Sequence, residues 1–262
     1  MLKIEAAATA LLLLLAAGAA ADEPSARSFA EKTEAAHGGD VWNGKQALEA
    51  YITVSFGGER LFTGKMLTDT PVGKTRFELT DGTVLVFDGE TAWKSPADSE
   101  FQGTRFHVLT WPYFLAAALK LDDPGTHLED LGTQPYRGGR SLPAARLTFG
   151  DGVGDSPDDW YVIYSHPKTH QLQAMAYIVT FGKDAEAAEA AEPSAIVYDN
   201  YVDVEGVKIA RNWSFFKWNP EDGVMGDQIG EVQITQPAFV TPAADAFEAP
   251  EDAEEAPAPP AR

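Results

Sequence analysis

Cysteine is absent from all 262 residues. That excludes disulfides, thiolate nucleophiles and Cys-ligated zinc or iron–sulfur centres, so stability has to come from a packed core. Positive charge is scarce too. Twenty Lys and Arg stand against 40 Asp and Glu, a formal net charge of −20. Such a field repels phosphate backbones and anionic bilayers, so neither nucleic acid nor stable membrane insertion is expected. Long apolar runs are also missing: residues 6–17 fall short of the about 20 that a spanning helix requires. No G-x-S-x-G nucleophile elbow occurs, and no repeat of fixed period is visible.

The N-terminus carries the chemistry of a processing signal. Lys3 supplies a positive region, residues 6–17 an apolar one, and Ala19-Ala20-Ala21 an A-x-A cleavage site before Asp22. Residues 1–21 are therefore expected to be a signal peptide, and the mature chain soluble and exported, most simply to a bacterial periplasm. No cysteine follows the cleavage point, which excludes a lipid-anchored lipoprotein. A single β-rich domain is expected over residues 22–246. Residues 247–262, built of Ala, Pro and acids, have almost nothing to bury and are expected to be mostly disordered.

Within the domain, residues 25–37 have helical composition, with Ser28 and Glu31 forming a capping box and Gly38-Gly39 a stop. From residue 47 the pattern changes to period two. Residues 51–56, 61–67, 74–80, 83–87 and 91–94 read as strands separated by Gly and Asp turns. Asp81-Gly82 reads as a two-residue type I′ loop. Such short connections make an antiparallel meander; a parallel sheet would need a helix between each pair. Residues 110–119 break the pattern as a helix, with Thr110 as cap and Pro112 in the first turn. Its Trp, Tyr, Phe and Leu residues are too apolar for a solvated surface, so it must lie on the sheet. Strands resume over 126–136, 141–149, 160–165, 171–181, 195–218 and 227–240; the Ala/Glu-rich 184–192 could form a helical turn, but within a hairpin a mobile loop is expected. The fold class is mainly β with a minor α part.

Several motifs occur in a telling order: Val86-Phe-Asp-Gly-Glu-Thr-Ala-Trp93, the 109–125 segment ending in Asp123-Pro-Gly, Ser156-Pro-Asp-Asp-Trp-Tyr161, and Gly206-Val-Lys-Ile209. Together they resemble the exported bacterial proteins of unknown function that adopt the outer-membrane lipoprotein carrier (LolA/LolB-like) fold. The resemblance covers roughly residues 36–250 and implies a curved antiparallel sheet, an incomplete β-barrel, with helices covering a hydrophobic cavity on its concave face. In the carriers proper that cavity holds lipoprotein acyl chains, and a basic residue among the apolar ones helps control the lid. This chain departs from them in its length, its acidity and its Ala/Pro/Glu tail.

Candidate sites divide into chemistry and containment. His166 and His170 lie four apart, but Pro167 and the flanking strands make a turn the better reading than a metal pair. Ser165-His166 with Asp158 and Asp159 offers a weak hydrolase arrangement, because neighbours on a strand point to opposite faces. The 155–159 acidic loop could hold calcium but lacks EF-hand spacing. His37 suits a helix C-terminus in its protonated form, and His107 and His127 stand alone. Arg211 alternates with Val207, Ile209, Trp213 and Phe215, either snorkelling at an edge or serving as a cavity arginine for an anionic headgroup or a helix carbonyl. In a carrier-like fold, Trp93, Trp111, Tyr113, Phe114, Leu115, Trp213 and Phe215 would line the cavity; as plain core they need no further role.

The expectation drawn from these readings is a non-catalytic binder of a hydrophobic small molecule or acyl chain, without cofactor or metal. Its alternatives are an interaction module that docks another envelope protein through its tail or a sheet edge, and a hydrolase or metal enzyme.

Overall fold

A computed structural model describes residues 23–259 apart from 151, 152 and 157. The expected signal peptide lies outside the described residues. Two helices, α1 (Glu23–His37) and α2 (Gly39–Asn43), precede strands β1 (Ala47–Phe56), β2 (Glu59–Asp69), β3 (Thr75–Leu79), β4 (Val84–Phe87) and β5 (Ala92–Ser95). Helix α3 (Thr104–Ala116) runs into a 3₁₀ turn at Ala117–Leu119. Strands β6 (Thr126–Arg137), β7 (Arg140–Phe149), β8 (Tyr161–Ser165) and β9 (Leu172–Tyr177) follow. The short α4 (Ala185–Glu189), β10 (Ser194–Val204), β11 (Val207–Asn219), β12 (Gly223–Val240) and β13 (Glu254–Ala256) complete the order.

All thirteen strands join one antiparallel sheet, ordered β13-β5-β4-β3-β2-β1-β12-β11-β10-β9-β8-β7-β6. Nearly every neighbour is a sequence neighbour, as a meander requires; the pairings of β1 with β12 and of β5 with β13 are the long-range joins. Alternation sets the faces. Along β1, Leu48, Ala50, Ile52 and Val54 are buried, while Tyr51 is exposed and Thr53 meets Thr63 of β2 at 3.1 Å on the outer face. Register shifts between Glu49 and Tyr51, Val54 and Ser55, and Phe215 and Lys217 bend the long strands, curving the sheet without closing it. Its concave face and the helices share the main core, which includes Trp42, Val108, Trp111, Trp213 and Phe215. A smaller core lies on the other face around Tyr136, Tyr164, Phe216 and Trp218. There the tips of β6 and β12 meet so closely that a Cβ on Gly223, at φ +73°, would sit 2.3 Å from the Tyr136 carbonyl oxygen.

Four local expectations are corrected. Helix α1 begins at Glu23, so Ser28 lies inside it and caps nothing. The Asp81-Gly82 turn is a three-residue loop: Leu79 N–H donates to Thr83 O at 2.8 Å, and only Gly82 takes positive φ, whereas a type I′ turn needs two such residues. The 184–192 loop contains α4, because the Asp184 side chain accepts from Ala187 N–H at 2.9 Å and caps a helical turn. The tail contains a strand: Glu254–Ala256 pair with Lys94, Trp93 and Ala92, and Asp252 takes Ala97 N–H at 3.0 Å and Ser95 Oγ–H at 2.5 Å. Backbone pairing to an exposed edge requires little apolar burial, which is why composition alone pointed to disorder. No helix among the described residues is long and apolar enough to cross a membrane.

Candidate ligand cavity

Helix α3 decides what the concave face can hold. It starts six residues earlier than Thr110 suggested, with Gly103 at φ +71° before it, and Pro112 therefore lies in its interior rather than its first turn. The added residues matter, because an α-helix presents i, i+3, i+4 and i+7 on one side. Val108 and Trp111 face the sheet and are buried. Phe106, Leu109, Thr110 and Tyr113 form another stripe, and it lines a cavity of about 310 Å³. The opposite wall comes from the ends of β7, β8 and β9: Phe149, Tyr161, Tyr177, Val179 and Phe181. Pro71 and Val72 of the β2–β3 turn close one side.

The helix is tied down at several points. Tyr198 O–H donates to the Phe114 carbonyl at 3.0 Å, satisfying a C-terminal acceptor that the helix cannot satisfy itself. Within the helix, Trp111 Nε1–H donates to His107 Nδ1 at 2.8 Å, which places the His107 proton on Nε2. Burial lowers the His107 pKa to about 4. Lys120, just beyond the 3₁₀ turn, donates to Pro71 O at 2.7 Å and pairs with Asp123. At the helix N-terminus, Arg105 grips Asp155 through Nε at 2.5 Å and Nη2 at 3.0 Å, a two-pronged contact that fixes the loop at the cavity mouth. Asp159 accepts from both the backbone and the hydroxyl of Thr180, at 2.8 and 2.7 Å.

Of the eight candidate residues, Tyr113 and Phe114 line the cavity. Trp111 is packed among Phe62, His107, Phe114 and Phe215 instead. Trp213, buried against Tyr198, donates to Ala210 O at 3.0 Å, and Phe215 packs tilted against Phe56 with ring centroids 4.8 Å apart; both are filled core. Leu115 packs half-buried against that core. Trp93 points its Nε1–H at Asp88, 3.1 Å away. Arg211 does not reach the cavity: half-buried, its nearest polar contact is the Ile234 carbonyl at 3.5 Å on the adjacent strand. Phe106, Leu109, Phe149, Tyr161, Tyr177 and Phe181 are among the cavity residues that the sequence did not single out. The apolar stripe at 106, 109 and 113 was the available signal, hidden once the helix was started at 110.

The histidines resolve into structure. His166 and His170 close the β8–β9 turn, where His166 Nδ1 accepts from Lys168 and Thr169 N–H and His170 takes φ +58°. His37 is neutral, not the protonated dipole partner expected: Leu172 N–H donates to its Nε2 at 2.9 Å and its Nδ1 faces Lys208 O at 3.3 Å. Burial lowers its pKa to about 4. Gly38 permits that seating, since at φ +81° a Cβ there would lie 2.3 Å from Gly206 O. Asp155 and Asp159, the ends of the acidic loop, face Arg105 and Thr180 respectively, and no group of three metal-binding side chains occurs among the described residues.

No family model matches the chain, and no curated protein matches it in sequence. Solved structures do match. A LolA superfamily protein from Nitrosomonas europaea aligns over 85% of this chain and 96% of its own, with TM-score 0.52 and 8% identity. A putative outer membrane lipoprotein-sorting protein domain from Vibrio parahaemolyticus aligns over 86% and 97%, with TM-score 0.52 and 11% identity. A DUF1329 family protein from Desulfovibrio piger aligns over 85% and 96%, with TM-score 0.46 and 10% identity. The fold is LolA-like, and at these identities the likeness speaks for the fold alone.

Proposed function

We propose that the protein binds or carries a hydrophobic small molecule or acyl chain in the cell envelope, without catalysing a reaction. One observation carries this reading: the aromatic-walled space of about 310 Å³ between α3 and the ends of β7–β9. Transfer into it works by area, at about 0.8 kcal/mol for each buried methylene, and needs no catalytic group. Helix α3 is the movable wall, held by the Tyr198 and Arg105 contacts described above. The LolA-like fold and the expected signal sequence at residues 1–21 support an envelope location, with residues 22–246 as one domain.

The test is extraction of protein purified from its native host, followed by lipid mass spectrometry and uptake of an apolar fluorophore. Leu109→Trp, which fills the cavity from the helix side, should abolish uptake while the fold persists by circular dichroism. Absence of both bound lipid and fluorophore uptake in the native chain would end the proposal. A second reading, docking of another envelope protein, is supported by the β5 edge, which the three-residue β13 covers. An extended peptide could pair there in its place.

A further inference from the structure

We infer, resting on the carriage reading above, that the cavity takes one unbranched chain of about ten carbons and that Phe106 and Phe181 form the end wall that sets this length. A space of about 310 Å³ holds about ten methylene-sized groups, taking about 30 Å³ for each as for water. Phe106 and Phe181 line this space, and the same two rings line a second recess of about 310 Å³, between the start of α3 and Glu254–Pro257 of the tail. Among the described residues no other borders both spaces. The two rings are therefore the partition. They meet edge to face with centroids 5.7 Å apart, which leaves no passage for a chain between them.

The partition is fixed from both sides. Arg105, next to Phe106, is held by the two-pronged contact to Asp155. Thr180, next to Phe181, is bonded through its backbone and its hydroxyl to Asp159. Each contact pins the backbone from which a ring projects, so the pair acts as a stop. The other end of the cavity, beyond the last turn of α3, is polar: Lys120 pairs there with the partly exposed Asp123 and donates to the Pro71 carbonyl. A headgroup faces that end, and the methyl terminus of the chain meets the rings. Every methylene up to the wall leaves water for an apolar surface; one more has no such surface to gain.

The experiment displaces N-phenyl-1-naphthylamine from the full chain with the unbranched alkanoates from hexanoate to tetradecanoate, each below its micelle concentration, at about pH 8. The headgroup is constant, so its interaction with the acidic chain cancels along the series. Affinity should rise about three- to fourfold per methylene up to about ten carbons and then level off. Phe181→Ala and Phe106→Ala, both at half-buried positions, each open the wall into the recess and should move that break by about three carbons or more. Phe149→Ala removes the same ring from a side wall; it should reduce the gain per methylene and leave the break in place. A rise without a break in the native chain, a break unmoved in both end-wall variants, or a break moved equally by Phe149→Ala overturns the inference while carriage stands. If the fluorophore does not bind the native chain at all, the carriage reading itself fails.

Discussion

Acidification should loosen this fold through His37, and the size of the effect follows from its surroundings. The ring is 2% exposed, and its Nε2 accepts the Leu172 N–H, so protonation would both bury a charge and destroy that bond. Burial lowers the pKa from 6.5 to about 4; the nearby Lys208 charge acts in the same direction, while the hydrogen bond to its carbonyl opposes it. In the unfolded chain His37 takes up a proton near pH 6.5, whereas in the folded chain it does so only near pH 4. The unfolded state therefore binds more protons between these values, and stability falls as pH falls. At 1.36 kcal/mol per pH unit the full window amounts to about 3.4 kcal/mol, of which about 2.5 is lost by about pH 4.5. Urea unfolding followed by tryptophan fluorescence, from about pH 7.5 to about pH 4.5, measures this against His37→Gln. The carboxylates titrate in both chains and cancel. So does Glu34, whose pKa burial raises and whose contribution has the opposite sign. The stability advantage of the native chain over the variant should shrink by about 2.5 kcal/mol across the range. Parallel curves would refute the assignment of a neutral, buried His37.

Two further perturbations test the scaffold. Tyr198→Phe leaves the Phe114 carbonyl without its donor and should cost about 1–3 kcal/mol in urea unfolding, with faster amide exchange along α3; an unaltered α3 would show that the helix is not anchored there. Glu254→Pro with Glu255→Pro removes two of the three backbone N–H groups of β13 and breaks its pairing with β5. Global stability should change by less than about 1 kcal/mol, since these residues bury little. Amides of Ala92–Ser95 should lose protection in hydrogen exchange, and retained protection would mean that the tail strand is not what covers that edge.

Much of the fold was legible because strands announce themselves locally. Period-two alternation and Gly or Asp turns identified the meander over β1–β5, and Pro167 marked the His166–His170 segment as a turn. Helix α3 was half legible. Pro112 is favoured in a first turn, and that preference placed the start at Thr110. In the structure Val108 and Trp111, buried against the sheet, hold the helix together across the proline, and tertiary packing outweighs the local rule. That error concealed Phe106 and Leu109, and with them the cavity. For Arg211 the sequence left two readings open, an edge-exposed arginine and a cavity one. Alternation correctly put it on a mostly buried face, but alternation does not say where along the strand the covering ends.

By itself, the sequence determined the absence of thiol chemistry, the acidic field, and the antiparallel character of the sheet. These depend on composition and on interactions between residues a few positions apart. The tertiary structure decided that Trp111, Trp213 and Phe215 fill the core while Tyr113 and Phe114 border an open space. The reason is geometric: one helix with 3.6 residues per turn divides its apolar side chains between two faces. Which face meets the sheet, and which meets Phe149, Tyr161 and Phe181, is set by strands 30 to 70 residues further along the chain.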